Sequence, residues 1–548
     1  MTEPDPATET PVDLFVIGGG VNGTGIARDA AGRGLSVRLA EQGDLAQATS
    51  SASTKLFHGG LRYLEYFEFR LVREALEERE TLLAAMPHIS WPMRFVLPVS
   101  PEMRFDSDTP TARLLSTVMP WMKGRRPAWL IRLGLALYDG LASRATLPGA
   151  RTLDLTQDPA GMALQPRFAK AFEYSDCWVQ DARLVVLNAR DAAARGAEIL
   201  VRTEVQAAHR EDGLWTVITR GPEGTRRHRA RALVNAAGPW VEQVLKGRMH
   251  VASGEGIRLV RGSHIVTRRL FAHDRCYFFQ GEDGRIVFAI PYEQDFTLIG
   301  TTDMDHQGLP GSPVCTPEER DYLCAFASKY FRRPVTAEDV VWTYSGVRPL
   351  YNDGAKSATA ATRDYVLSLD APEGEAPALS VFGGKITTFR RLSERAVAKF
   401  EPFFPAMGPA WTARVTLPGG DFAPQDQPRL IAELRRDFPF LNHPWAERLV
   451  RHYGTEAREI LGLARVPEDL GRNFGDTLTE AEVRWLIDRE WVQTADDLLW
   501  RRTKLGLRLF PDQVTELAAF IAAARAPEEA APGAEADAEG EPDPAPGR

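Results

Sequence analysis

Apolar positions fall into three textures along the chain. The first is the short, nearly continuous run. Val12 with Leu14 to Ile17, then Leu35 to Ala40, then Arg231 to Gly238 (RALVNAAG) each read as a strand covered on both faces. The second is a series of closely spaced strands with hairpin turns. Gly262 to Leu270, Cys276 to Gln280, Arg285 to Ile290 and Phe296 to Thr301, with a turn at Glu282-Asp283-Gly284, predict a mixed or antiparallel sheet. The third is the helical period, which predicts amphipathic helices over 68–85 and 317–330 and repeatedly between 424 and 525. In that last stretch Thr479 with Glu482, and Thr494 with Asp497, are capping-box candidates. YSDCWVQDAR, from Tyr174, reads as a loop that leads into a helix carrying Leu184, Val185 and Leu187. Val340 to Ser345 is a further strand, and Leu379 to Phe389 (LSVFGGKITTF) is a strand, a glycine pair, Lys385 and a helix start.

The first strand runs straight into Gly18, Gly20 and Gly23, spaced G-x-G-x-x-G, then a helix, then a second strand that ends on Glu41. Gly18 permits the tight turn, Gly20 lets the backbone approach a pyrophosphate, and Gly23 lets the helix pack on the strand. The helix N-terminus offers unpaired N–H groups to phosphate. Glu41 stands where a carboxylate grips a ribose hydroxyl, which favours FAD or NAD over NADP. Thr49, Ser50, Ser51, Ser53 and Thr54 then crowd hydroxyls into one loop before His58-Gly59-Gly60. They suit a loop wrapping a cofactor's ribityl and phosphate groups. The nucleotide unit is thus assembled from three separated pieces, 12–41, 231–238 and 379–389. That arrangement suits FAD, whose two ends are held far apart. The fold class expected is α/β and α+β: an FAD-binding Rossmann-like domain, a mixed-sheet substrate (cap) domain and a C-terminal all-helical domain.

Composition narrows this only slightly. The 548 residues, 44% hydrophobic and 26% charged, indicate a globular protein of several domains. The net charge of −8 comes from the ends, since seven acids lie in 526–548 and three in the first twelve residues. The body is close to neutral, which gives no case for nucleic-acid binding. Cys177, Cys276, Cys315 and Cys324 lack metal-ligand spacing and suggest buried thiols in a reducing compartment. No metal site is expected. The acidic N-terminus has no signal-peptide character, so a cytoplasmic protein is expected. The segment 111–141 differs from the rest: Trp121, Met122, Trp129, Leu130, Ile131, Leu133, Leu135 and Leu137 are interleaved with Lys123, Arg125, Arg126 and Arg132. It is too short and too charged to span a bilayer. It reads either as an interfacial helix on anionic lipid or as a helix packed inside the cap domain.

The motifs IGGGVNGTGIARDAAGRGLSVRLAE, DLAQATSSASTKLFHGGLRYLE, FEYSDCWVQDARLV, GSHIV, VFAIPYEQDFTLIGTTD, VWTYSGVRPL, TRDY and SVFGGKITTFRRL resemble, in order, those of the FAD-dependent, quinone-linked glycerol-3-phosphate dehydrogenases. The resemblance runs from Asp13 to about Arg525. It implies oxidation of sn-glycerol 3-phosphate to dihydroxyacetone phosphate, by hydride transfer to FAD N5, with electrons passing to membrane quinone. It also implies that Arg348 and Arg363 clamp phosphate while Arg62, Tyr63, His264 and Lys385 surround the reacting hydroxyl. Cofactor contacts are expected from Gly18, Gly20, Gly23, Glu41, Thr49, Ser50, Ser51, Gly238, Gly384, Lys385 and Thr387. A phosphate dianion calls for several guanidinium or ammonium donors. The hydroxyl proton needs a base, for which His264 is the first candidate because an unperturbed imidazole titrates near ~6.5. Lys385 or Arg348 could polarise the oxygen instead, so the catalytic set is His264, Arg348 and Lys385.

The expected organisation is a disordered 1–11; an FAD-binding domain from 12–85, 151–245 and 345–400; a substrate domain from 86–150 and 246–344 with the membrane-facing segment; a helical domain at 410–525; and a disordered acidic tail at 526–548. The stretch 101–126 is longer than the family pattern, and the tail lies outside the resemblance. Expected partners are glycerol 3-phosphate, a membrane quinone and the inner-leaflet surface, with a peripheral location on the cytoplasmic membrane. A homodimer is compatible with the sequence. The competing readings are a soluble glycerol-3-phosphate oxidase that uses oxygen and a non-catalytic FAD-binding redox sensor.

Overall fold

A computed structural model describes residues 10–100, 103, 111, 127–141, 146–281, 285–352 and 364–526; the side chain of Arg62 is outside the described part. The first and last residues, the Glu282-Asp283-Gly284 turn, most of 101–126 and the acidic tail beyond Ala526 therefore lie outside the described residues.

Two sheets organise the chain. In the first, the strands run in the order Tyr365–Asp370, Ala378–Gly383, Gly224–Asn235, Val12–Ile17, Val37–Ala40, Glu198–Leu200. The four pairings from Ala378–Gly383 across to Glu198–Leu200 are parallel. Val12–Ile17 sits centrally, with the next strand in sequence on one side and a strand more than two hundred residues later on the other. That is a topological switch point, where open α/β sheets form their ligand crevice. The helices Val21–Gly32, Asp181–Ala194 and Phe389–Ala398 pack together over this sheet. Ile26, Ala27, Ala30, Val185, Val186, Ala189, Leu392 and Ala396 form one core with Leu14, Val16 and Val234.

Among the described residues the second sheet has ten strands and is largely antiparallel. It includes the predicted hairpin series and Ser90–Pro98, Lys170–Val179 and Val340–Tyr351. Three expectations change here. YSDCWV is no loop: it is the end of the buried strand Lys170–Val179, antiparallel to Ser90–Pro98. Its polar residues misled because their partners are remote in sequence, Asp176 accepting from Arg79 Nη1 at 2.6 Å and from Tyr138 Oη at 2.8 Å. The boundaries also move, since 151–154 and 170–179 belong to the second sheet rather than to the nucleotide sheet. Position 345 falls inside the strand Val340–Tyr351, which pairs with Ile257–Arg268 throughout.

The C-terminal region is mostly helical, through Gln427–Asp437, His443–Tyr453, Glu480–Glu490 and Pro511–Ala524, and has a core of its own. It also contains the small strand pair Asn473–Gly475 and Leu478–Thr479. Thr494 and Asp497 make the reciprocal capping bonds, at 3.0 and 3.3 Å. Thr479 makes no side-chain cap. Glu482 instead accepts from both terminal nitrogens of Arg448 at 2.7 Å and from Tyr453 Oη at 2.6 Å, because a buried guanidinium competes better for a carboxylate than one backbone N–H.

Candidate active site

A cavity of about 1160 Å³ runs from the end of the central parallel strand to the second sheet. At the near end the chain leaves Val12–Ile17 through Gly18, whose φ of +110° is left-handed. The helix that follows comes so close that a Cβ on Gly23 would stand 1.9 Å from the Gly18 carbonyl oxygen. Gly18, Gly20 and Val21 line the cavity; Gly23 does not, and packs the helix against the turn as the spacing predicts. Glu41 lines it too, accepting the N–H groups of Gly19 at 2.6 Å and Gly43 at 2.8 Å. Burial pushes the Glu41 carboxyl above its ordinary value, against the pull of the Gly43 and Gly19 N–H groups.

The hydroxyl-rich loop forms the next part of the wall. Ser50 Oγ accepts the Val21 N–H at 3.0 Å, and Thr49 Oγ1 donates to the Val347 carbonyl at 2.6 Å. Part of this hydroxyl set therefore ties the helix N-terminus and the Val340–Tyr351 strand together, while Thr49, Ser50 and Ser51 all still face the cavity. Gly238, at φ +54° with nothing near its Cβ position, opens the opposite wall.

At the far end Lys385, Tyr63, Gly60 and His58 converge. Lys385 Nζ lies over the Tyr63 ring, 3.8 Å from its centroid, and 3.4 Å from where a Cβ on Gly60 would be. Gly384 (φ +107°) turns the chain so that Lys385 reaches this point. Thr387 lines the cavity, and its Oγ1 lies 3.5 Å from the His58 carbonyl oxygen. Burial and the Lys385 ammonium push His58 down to about 3, so its imidazole is neutral at physiological pH and a weak base.

Arg348 enters from the second sheet. Gly262, its neighbour on the paired strand, leaves the space that the guanidinium fills: a Cβ there would meet Arg348 Nη2 at 2.3 Å. Arg348 Nη2 donates to Thr301 Oγ1 at 2.9 Å, and Nη1 donates to Asp303. All three side chains line the cavity, so the guanidinium is present there together with a carboxylate that an incoming phosphate must displace or share.

His264 is placed differently from expectation. It is fully buried, is not among the lining residues, and stacks on Tyr344 with centroids 4.6 Å apart. Its Nε2 lies 3.0 Å from Thr54 Oγ1, and Thr54 faces the cavity. Burial, with Arg348 and Lys55 nearby, holds its pKa well below the usual imidazole range. A single histidine on a strand gives no sign of which face it takes, and here Thr54 stands between it and the cavity. Arg363 lies outside the described residues, as does the side chain of Arg62. Sequence reasoning passed over His58, Thr301 and Asp303. His58 heads the His-Gly-Gly run and Asp303 ends the Gly-Thr-Thr-Asp run, so both stood beside motifs already noted.

These residues fit FAD. The turn at Gly18–Val21 brings backbone and a helix N-terminus to the cavity wall, where a diphosphate fits, Glu41 lines the same end, and one cavity continues from there to Lys385. FAD-dependent oxidoreductases match the sequence over residues 13–390, and the C-terminal domain of α-glycerophosphate oxidase matches residues 410–529. The D-erythritol 1-phosphate dehydrogenase of Brucella abortus is 50% identical, over 95% of this chain and 98% of that protein. The aerobic glycerol-3-phosphate dehydrogenase of Escherichia coli is 48% identical, over 93% and 97%. The X-ray structure of the glycerol-3-phosphate dehydrogenase from Bacillus halodurans complexed with FAD is 26% identical, with a TM-score of 0.69 over 94% of this chain and 90% of that one. The chain belongs to the FAD-dependent oxidoreductases, and within them to the group that carries the α-glycerophosphate oxidase C-terminal domain.

Proposed function

We propose that this flavoprotein oxidises the secondary hydroxyl of sn-glycerol 3-phosphate to dihydroxyacetone phosphate and passes the electrons to a membrane quinone. The observation that carries the reading is the shared cavity of Arg348 and Lys385, one from each sheet. A small phosphorylated alcohol needs a guanidinium fork for the phosphate and a second polar centre for the hydroxyl. Arg348 is the clamp, with Asp303 and Thr301 holding the fork in place before substrate arrives. The motif resemblance assigns Arg363 to the same clamp and Arg62 to the hydroxyl side. Lys385, braced on Tyr63, polarises the hydroxyl oxygen. FAD, when bound, supplies the two-electron acceptor. His58 lines the cavity beside Lys385, whereas His264 orients Thr54 from behind.

The Brucella relative motivates a second substrate, D-erythritol 1-phosphate, which offers the same phosphate and a longer polyol. Anaerobic titration separates the readings. Glycerol 3-phosphate is expected to bleach the flavin at micromolar to millimolar concentration, the usual span of KM, and a quinone analogue then restores the yellow colour. Bleaching by D-erythritol 1-phosphate alone would replace the substrate. Fast recovery with oxygen and peroxide release would make the enzyme an oxidase, and no bleaching by either alcohol would leave a sensor.

The quinone calls for a membrane face, and the helix Ala128–Gly140 supports one. It buries Ile131, Leu135 and Tyr138 against the second sheet's core while Trp129, Leu133 and Leu137 are 54%, 58% and 43% exposed. Those three recur every four residues, so they form one outward stripe. No helix among the described residues is long and apolar enough to cross a membrane, and the reading is a protein lying on the inner leaflet. Glutamate at all three positions is expected to abolish co-sedimentation with anionic vesicles while anaerobic bleaching by substrate is unchanged. Undiminished sedimentation would remove this surface from the proposal.

A further inference from the structure

The C-terminal domain supplies no group to the chemistry above, yet one segment of it reaches the cofactor cavity. This is Asp497–Arg502, wound as a π-helix, a form that concentrates at functional sites. Two consecutive arginines of that turn converge on one carboxylate. Arg501 Nε donates to Asp44 at 2.5 Å, and Arg502 donates to it through Nη1 at 2.9 Å and Nη2 at 2.8 Å. The Asp44 side chain is fully buried.

Asp44 belongs to the loop that follows Glu41, and the loop's other side is cavity wall, from Gln42 and Gly43 through Gln47 to Ser53. The same latch has a second strand of bonds. Arg501 and Arg202 both pair with Asp497, at 2.7 and 2.9 Å, and the Arg202 N–H donates to the Gly43 carbonyl at 2.8 Å. The far end of the loop is pinned separately, by Lys55 Nζ donating to Asp181 at 2.8 Å and to the Ser51 carbonyl at 3.0 Å. The cofactor loop therefore hangs between two buried charge pairs, and only the first crosses from the C-terminal domain.

We propose that Asp44 is a positioning residue through which the C-terminal domain holds the cofactor loop closed on the adenosine end of FAD. Cofactor retention is then a function of the docked C-terminal domain. This inference needs FAD binding only and is independent of which alcohol is oxidised. With Asp44 neutralised, Arg501 keeps Asp497 and Arg502 keeps Glu490, so the charge bonds lost are those to the loop while the arginines stay tied within their own domain.

The test is FAD affinity of the full-length chain, measured by flavin fluorescence on apoprotein, beside the melting temperature of that apoprotein. Asp44→Asn is expected to raise the FAD Kd at least tenfold, and Arg501→Gln, which leaves Arg502 on Asp44, several-fold, with apoprotein melting unchanged. The control is Glu456→Gln, which breaks the bidentate bridge to Arg190 between the same two domains at 2.7 and 2.9 Å. Its FAD Kd is expected to stay within twofold of the parent. Kd within twofold for both Asp44→Asn and Arg501→Gln overturns the proposal. So does an equal loss in Glu456→Gln, which makes general docking the cause. If neither Asp44→Asn nor Arg501→Gln gives an apoprotein melting at the parent temperature, the pair is a determinant of folding and the positioning role falls.

Discussion

Alanine at Arg348 is expected to leave a yellow protein that has nearly lost its substrate. The guanidinium touches neither the Gly18–Val21 cradle nor Glu41, so FAD content per chain should match the parent. Its own bonds run to Asp303 and Thr301, in the connection between the strands Phe296–Gly300 and Met304–Asp305. Removing it does two things to an incoming phosphate. It deletes a charge-assisted fork, and it uncovers Asp303, whose negative charge then faces a dianion. Truncating one side of a hydrogen-bonded charge pair costs about 2–5 kcal/mol, so kcat/KM should fall by roughly 30- to 5,000-fold. Most of that should sit in KM, because phosphate is remote from the reacting carbon. Lysine at 348 should recover only part, since it restores the charge but not the planar fork. Steady-state kinetics with a quinone analogue, alongside flavin content, checks all three statements. A KM within threefold of the parent would move the clamp elsewhere in the cavity.

Gly23→Ala should give the opposite phenotype, a chain that folds and has no cofactor. The added methyl would lie 1.9 Å from the Gly18 carbonyl oxygen and 3.0 Å from its carbon. Both are backbone atoms of the turn that forms the phosphate cradle, so relief comes only by opening that turn or by backing the helix away from it. Overpacking of this kind costs ~3 kcal/mol or more, and it falls on the geometry that a diphosphate reads, so FAD affinity should drop by about a hundredfold or more. Gly247→Ala, at the end of a short helix with nothing within 4 Å of its Cβ position, is the matched control and should stay yellow. Flavin absorbance per chain after gel filtration gives the comparison. Full cofactor in Gly23→Ala would mean that the helix can shift without disturbing the cradle.

The two substitutions also mark what was legible in one dimension. Gly23 could be assigned its packing role from spacing alone, because strand, turn and helix are contiguous and their geometry leaves few alternatives. Glu41 was named from the same spacing, and it lines the cavity. Lys385 was recognisable from the glycine pair before it. His264 was named from a motif and lies behind Thr54, since which face of a buried strand a residue takes is set by the partner strands. Asp303, paired to Arg348 across forty-five residues, carried no local signal that it would share the clamp. The end of the strand Lys170–Val179, from Tyr174, read as a loop because buried polar residues resemble solvated ones until their partners are known.

Local periodicity and glycine spacing by themselves determined the strand–turn–helix unit at 12–41, because its contacts are between near neighbours, and the resemblance of the ordered motifs pointed to the family. The tertiary structure decided the rest: the assignment of 151–154 and 170–179 to the second sheet, the meeting of Arg348 with Asp303, and the reach of Arg501 and Arg502 across more than four hundred and fifty residues to Asp44. Those are pairings of charges and strand edges distant along the chain. Their partners are selected by which surfaces folding brings together, and no window of sequence contains both halves.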